Sequence, residues 1–304
     1  MFGRESSVRY KFIIKPPLKK ELEKEILELK KENEVDFELT EKGEDSPKSA
    51  KNLAKRAIKE GFEMIIVCGG DGLLNEVING IMEEKIPENF AIGIIPTGSG
   101  NNFAKALGIP KDIKKAFGVI KSEKKTLVDV GKVNQKYFIN CFSLGFDAKI
   151  NDLANKIKEK YSFLPRELSY LFAALKEIIF QIPSYEIEII GEINLREKLV
   201  LVAITNSPSY GGIFKINPGA SISDGKLNLC KIYPVSKPKA LYTLFLATKG
   251  KHLKIPEVKT YLFSNSLKIL VKESAFWEID GEVKKPEKEF KVEILKSSLK
   301  FISG

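Results

Sequence analysis

Three stretches of this 304-residue sequence carry residue types suited to handling phosphate. The first is Gly69-Gly70-Asp71-Gly72, which ends the apolar run Met64 to Cys68 and leads into a helix-like pattern. Glycines let a backbone approach a ligand closely, and a helix start presents N–H groups to phosphate oxygens. An acid among them repels phosphate unless a metal stands between, so Asp71 points to Mg²⁺. The structural alternative is a tight turn with Asp71 capping the helix.

The second stretch is Pro96-Thr97-Gly98-Ser99-Gly100-Asn101-Asn102-Phe103-Ala104. It also follows an apolar run and opens a helix, and it supplies two glycines, two hydroxyls and two amides. Phe103 occupies the place of a third glycine, so the dinucleotide fingerprint GxGxxG fails. A capped helix is the plain alternative. Two such loops after neighbouring strands favour a shared ligand cleft, because open α/β sheets bind ligands at the carboxyl ends of their strands. The third stretch, Asp280-Gly281-Glu282, reads on spacing alone as a hairpin turn with Asp-Gly at its tip.

Other chemistry is poorly represented. His252 is the only histidine and has no triad partners in view. Cys68, Cys141 and Cys230 are far apart in apolar runs, which suits buried thiols in a reducing compartment rather than a metal cage. The net charge of +10 comes from lysines dispersed among acids, without the aromatic interleaving that single-stranded nucleic acid requires. No nucleic-acid partner is expected. The hydrophobic share of 43% excludes disorder across the chain.

The elements that must hold these stretches form two groups. Up to about residue 125, strand and helix patterns alternate. Strands are predicted at Tyr10 to Ile14, Val35 to Leu39, Met64 to Cys68 and Ala91 to Ile95. Helical periods run through Leu18 to Leu29, from Ser46-Pro47 through Ile58, and through Leu74 to Ile81. This alternation predicts a parallel sheet covered by helices.

After Lys124 short strands dominate: 127–133, 137–142, 185–190, 199–205, 227–232, 267–271, 276–279 and 290–295. They predict an antiparallel sandwich or open barrel. Helical inserts are expected at Leu168 to Ile182 and Lys237 to Thr248. The N-terminus has no signal-type apolar run, and Lys176 and Glu177 interrupt the longest apolar stretch, so a cytoplasmic protein is expected.

The motifs occur in a telling order. Between the second and third stretches lie Asn140-Cys141-Phe142-Ser143-Leu144-Gly145-Phe146-Asp147-Ala148, Gly211-Gly212, Pro218-Gly219-Ala220 and Asp224-Gly225-Lys226-Leu227. The set resembles the diacylglycerol kinase catalytic family, which includes soluble bacterial diacylglycerol kinases, YegS-like lipid kinases and sphingosine and ceramide kinases. The resemblance spans about residues 10 to 300.

It implies an α/β domain similar to NAD kinases and 6-phosphofructokinases, residues 1–125 with about 297–304 returning to it, and an antiparallel β-sandwich domain, 126–296. It implies an ATP- and Mg-dependent kinase of diacylglycerol or a related hydroxyl lipid. Gly69, Gly70, Asp71, Gly72, Glu76, Thr97, Gly98, Ser99, Gly100 and Asn101 would bind nucleotide. Asp71 and Glu282 would serve Mg²⁺, and Asp280 would be the base, with Asp71 its rival. The expected partners are a lipid and, peripherally, a membrane surface, and a homodimer is compatible. Two other readings stand beside this one: an NAD kinase-like phosphotransferase, which shares the GGDG turn, and a non-catalytic lipid-binding or regulatory member.

Three positions depart from the family pattern. Lys15-Pro16-Pro17 replaces the usual Asn-Pro and its glycine loop. Leu73 stands where Thr is usual, and Asn102 where Asp is common.

Overall fold

The structure, a computed structural model, describes residues 8–43, 46–161, 163–210 and 213–304. The chain divides into two compact units, Met1–Val128 with Ser298–Gly304, and Asp129–Ser297.

The first unit begins with β1 (Arg9–Ile14), α1 (Lys20–Leu29), β2 (Glu34–Leu39) and α2 (Ala50–Lys59). Then come β3 (Met64–Gly69), α3 (Asp71–Ile81), β4 (Ala91–Pro96), α4 (Asn102–Ala106) and α5 (Ile113–Ser122). α1 buries Leu22, Ile26 and Leu29, one side chain per turn. α2 starts later than Ser46-Pro47 predicts. The Ser49 hydroxyl caps it by accepting the Asn52 amide at 3.3 Å, while Ser46 Oγ accepts the Lys48 amide in the preceding turn. The Ser-Pro pair therefore shapes the approach, and Ser49 starts the helix.

β4, β3, β1 and β2 lie side by side, all parallel. β3 and β4 are buried along their whole lengths, as the central strands of a doubly covered sheet must be. Phe301, near the end of the chain, pairs in parallel with Ile92 of β4. Its ring lies 5.0 Å from that of Phe103, so the returning segment packs under the second glycine loop.

The second unit contains β5 (Lys125–Val133), β6 (Lys136–Phe138), β7 (Cys141–Gly145), α6 (Phe146–Lys160) and α7 (Arg166–Phe180). It continues with β8 (Tyr185–Gly191), β9 (Leu195–Leu199), β10 (Leu201–Thr205), β11 (Leu227–Ile232) and α8 (Lys237–Thr248). The last strands are β12 (Val258–Phe263), β13 (Ser266–Ile279) and β14 (Glu282–Ile302), whose end belongs to the first unit. β12, β11, β10, β7 and β13 are antiparallel neighbours in that order, and β13 also pairs with β14 and β8. The result is a β-sandwich with helices against one side. Phe142, Trp277 and Phe290 meet in its core, with ring centroids 5.3 to 6.1 Å apart.

Several predicted strands have different bounds. The run 137–142 is two strands, because the amides of Ile139 and Asn140 leave the ladder to bond Asp280. The run 199–205 breaks at Val200, whose carbonyl accepts the Phe146 amide. The pieces 267–271 and 276–279 are one strand, β13, interrupted by an irregularity between Leu270 and Ala275. The three cysteines are buried and free, and burial pushes each thiol's pKa well up. Among the described residues no helix is long and apolar enough to cross a membrane.

Candidate functional site

The two glycine loops stand at the carboxyl ends of adjacent strands, β3 and β4, and are joined directly. The Thr97 amide donates to the Gly69 carbonyl at 3.1 Å. Asp71, the first residue of α3, turns its side chain to the other loop. Its Oδ1 accepts the Phe103 amide at 3.0 Å, and its Oδ2 accepts the Asn102 amide at 3.0 Å. α4 has no cap from its own N-cap residue, Asn101, and Asp71 supplies one across the gap. A carboxylate at a helix N-terminus is stabilised by the helix dipole as well as by these bonds.

The loops approach at their glycines. A Cβ on Gly98 would lie 2.5 Å from the Gly70 Cα, and one on Gly70 would lie 3.2 Å from the Gly98 Cα. Only glycine permits this spacing. A Cβ on Gly72 would meet nothing within 4 Å, so that side of the turn is open. Asn101 sits at φ 52°, in the left-handed region, and its amide nitrogen donates to the Gly98 carbonyl at 2.7 Å. Its buried Oδ1 has no hydrogen-bond partner. Ser99 and Gly98 are exposed, Thr97 and Gly100 are half-buried, and Glu76 is half-buried on α3 one turn beyond Gly72.

Two of the departures have structural reasons. Leu73 is buried and lies over the turn itself: a Cβ on Gly69 would come within 2.5 Å of its side chain. It is part of the packing beneath the loop. At position 102 the side-chain amide donates to Asp71 Oδ2 at 3.3 Å, where a second carboxylate would repel. Lys15 is exposed, and its amide donates to the Cys68 carbonyl, tying the first loop to β3.

Asp280-Gly281 is the two-residue turn between β13 and β14, with φ of 47° and 89° and with Ile279 paired to Glu282. Both positive values match a type I′ hairpin. The Asp280 side chain is more than a turn former. Oδ2 accepts the Ile139 amide at 2.9 Å, and Oδ1 accepts those of Asn140 and Cys141 at 2.9 and 2.8 Å. Beside it, the buried Asn151 side chain donates to buried Glu278 and, at 3.0 Å, to the Gly281 carbonyl. Glu282 projects outward and accepts from Lys284.

Sequence reasoning missed three carboxylates. Glu278 is one. Asp129, buried, accepts the Gly225 and Ser297 amides at 2.7 Å each and so fixes the Asp224-Gly225 turn against β14. The third is Asp147, which the sequence offers only inside a longer motif. Its burial leaves the carboxylate in a mainly apolar wall, where it accepts the Tyr210 hydroxyl. Burial pushes its pKa up to about 6, against the hydrogen bonds it accepts. Gly211-Gly212 lies outside the described residues.

Asp147 borders a cavity of about 90 Å³. Phe146 and Ile150 of α6, Tyr170 and Ile178 of α7, and Ala240, Leu244 and Ala247 of α8 line it, with Phe214, Ile216 and His252. His252 is fully buried there, and burial lowers its pKa. The cavity is mainly apolar with a few polar side chains, the arrangement that suits an amphiphile.

Among the described residues no three His, Cys, Asp or Glu side chains gather as a metal cage. Mg²⁺ keeps several waters and takes one or two carboxylates plus phosphates, so a cage is not required. Asp71, with both oxygens already bonded to amides, fits a role through water rather than direct ligation. Glu282, exposed, has an oxygen able to serve.

The sequence matches the description "Diacylglycerol kinase catalytic domain" over residues 17–133 and "YegS C-terminal NAD kinase beta sandwich-like domain" over residues 140–302. It is 34% identical over 279 residues to a diacylglycerol kinase of Staphylococcus carnosus (strain TM300), covering 90% of this chain and 88% of that one. It is 31% identical over 235 residues to a diacylglycerol kinase of Bacillus subtilis (strain 168), covering 77% and 75%. The fold matches the crystal structure of a diacylglycerol kinase from Bacillus anthracis str. Sterne with a TM-score of 0.74 over 97% of both chains, at 22% identity.

Proposed function

The chain belongs to the diacylglycerol kinase family, and from that premise we propose that it is an ATP- and Mg-dependent lipid kinase acting on the hydroxyl of diacylglycerol or a related lipid. The observation that carries the nucleotide half is the Asp71 bridge, which holds the two glycine loops so close that Gly70 and Gly98 touch backbone to backbone. In this reading the backbone of Gly69, Gly70, Gly72, Gly98 and Gly100 faces the phosphates, with Ser99 and Thr97 adding hydroxyls. Asn101 holds the second loop in shape for the nucleotide through its bond to the Gly98 carbonyl, and Glu76 holds the ribose or the loop.

Phosphoryl transfer needs placement and charge neutralisation more than covalent help. Asp280 is assigned the base, its carboxylate held in place by the amides of Ile139, Asn140 and Cys141. The loose transition state asks little basicity of it. Asp71 and Glu282 are the residues assigned to Mg²⁺, which would neutralise phosphate charge. The apolar cavity bordered by Asp147 receives the lipid. It also favours a lipid over NAD as acceptor, because NAD is polar and highly charged.

Purified protein incubated with labelled ATP, Mg²⁺ and separate acceptors tests this reading. Label in diacylglycerol or a sphingoid base is the expected result. Label in NAD alone moves the protein to the nucleotide branch. No labelled product from any acceptor leaves the non-catalytic lipid-binding reading.

A further inference from the structure

The Asp280-Gly281 turn has a second anchor, on the helix that walls the apolar cavity. α6 gives Phe146, Asp147 and Ile150 to that wall. The next residue, Asn151, is only 4% exposed and bonds to the β13–β14 hairpin. Its Nδ2 donates to Glu278 Oε2 and, at 3.0 Å, to the Gly281 carbonyl. Both partners are ionised or carbonyl oxygens, which only accept. The position therefore needs two N–H donors on one short side chain, which Asn supplies and Asp, Ser or Leu cannot.

The turn has reason to need this anchor. Asp280 and Gly281 both sit at positive φ, and Asp280 is a non-glycine residue in the left-handed region. The amides of Ile139, Asn140 and Cys141 hold the Asp280 carboxylate, but none of these bonds reaches Gly281. Beyond the turn Glu282 is exposed, and so are residues 285–289 of β14, so packing there supports the tip little. Glu278, two residues before Asp280, is 3% exposed and pairs with Ser143 of β7 and Val283 of β14. Asn151 thus grips the chain on both sides of Asp280. Its bond to Gly281 also fixes the peptide plane between Gly281 and Glu282, and with it the spacing of the two acids of the turn.

We propose that Asn151 is a positioning residue for phosphoryl transfer, holding the Asp280 carboxylate in place through Glu278 before it and Gly281 after it. The proposal rests on the lipid-kinase reading with Asp280 as base and adds to that site a residue of α6. A small displacement of a catalytic group is enough to cost a large part of the rate.

The test uses Asn151→Leu, which keeps the branched shape and removes both donors. It also takes a donor from the buried Glu278 carboxylate, so lower melting is expected. Adding Glu278→Leu takes that charge away, and melting should return towards the original value. A merely structural asparagine requires the rate to return with it. The proposal expects kcat in the double variant to stay at least tenfold down, with KM for ATP unchanged. Hydrogen exchange read by mass spectrometry needs no turnover. The Ile139, Asn140 and Cys141 amides should exchange at least tenfold faster in the double variant, because the carboxylate they donate to is free to move. Asn151→Ser, with one donor in place of two, is the milder change for the fold and should show the same effect at smaller amplitude. Original protection of these amides in both variants overturns the proposal, and so does a rate restored together with melting. Faster exchange in a chain that phosphorylates no lipid leaves Asp280 positioned by Asn151 and refutes the kinase reading alone.

Discussion

Asp280 and Cys141 are bound to each other in both directions: the Cys141 amide donates to Asp280 Oδ1 at 2.8 Å, and the Asp280 amide donates to the Cys141 carbonyl at 2.9 Å. One residue thereby closes the β13–β14 hairpin and fixes the start of β7. A carboxylate clamped in this way cannot wander, and a base for a lipid hydroxyl must be held still. The same clamp gives Asp280 a structural duty as well, so its substitution needs two readouts.

Asp280→Asn should lower kcat by about 100-fold or more, the usual size of a lost general base. An amide in place of the carboxylate sets a donor against the 139–141 amides, so thermal unfolding must be followed in parallel. A variant with near-native melting and a native rate would remove Asp280 from the role of base.

Asp71→Ala removes the cap that α4 receives across the loops. It should cost about 1 kcal/mol of stability. The larger effect is expected on nucleotide affinity, with KM for ATP rising and KM for lipid unchanged. Saturation kinetics in both substrates distinguish these outcomes.

Gly98→Ala forces a Cβ to within 2.5 Å of the Gly70 Cα, where backbone meets backbone and neither can swing aside. The loops must part, and ATP binding measured by calorimetry should weaken at least tenfold. Gly118→Ala on α5, with open space at its Cβ, should leave the fold and ATP binding intact and serves as the steric control.

Asp147 ties stability to pH. Its pKa in the folded chain is about 6, above its ordinary 3.8, so the folded state binds its proton more tightly than the unfolded one. Stability from this group is therefore greatest below about pH 4 and falls as pH rises to 6. At neutral pH the buried carboxylate is ionised and lowers stability. Asp147→Asn should be more stable than the original chain at pH 8 and nearly equal to it at pH 4. His252 acts in the opposite sense: burial lowers its pKa, so its contribution is lost as pH falls below about 6.5. Denaturant melts from pH 4 to 8 on Asp147→Asn and on His252→Gln separate the two.

Much of this architecture was legible because the relevant signals are local. The all-buried runs of β3 and β4, followed by glycines, read directly as central strands with loops at their carboxyl ends. The β-sandwich was legible in class but not in detail. Leu195–Leu199 and Val258–Phe263 carry charges and exposed side chains that dilute a strand pattern, and they were not predicted. α6 had a usable signal, Phe146, Ile150 and Ala154 at four-residue spacing, hidden because its first residues were read as a motif.

The site divided in the same way. The loop residues followed from type and spacing. The Asp71 bridge to Asn102 and Phe103, 31 and 32 residues away, could not be read from spacing, nor could the burial of Glu278, Asp129 and Asp147, since both depend on packing. The family pattern suggests a missing hydroxyl at Leu73, whereas the structure gives it a packing duty. Leu73→Thr should cost about 1 to 3 kcal/mol of stability through lost burial and a cavity over Gly69.

The most direct measurement is the initial rate of label transfer from γ-labelled ATP to diacylglycerol in mixed micelles, with Mg²⁺ and with the metal chelated. The account predicts labelled lipid product that requires Mg²⁺ and disappears in Asp280→Asn. Absence of labelled lipid with Mg²⁺ present, from protein shown by calorimetry to bind ATP, would contradict it.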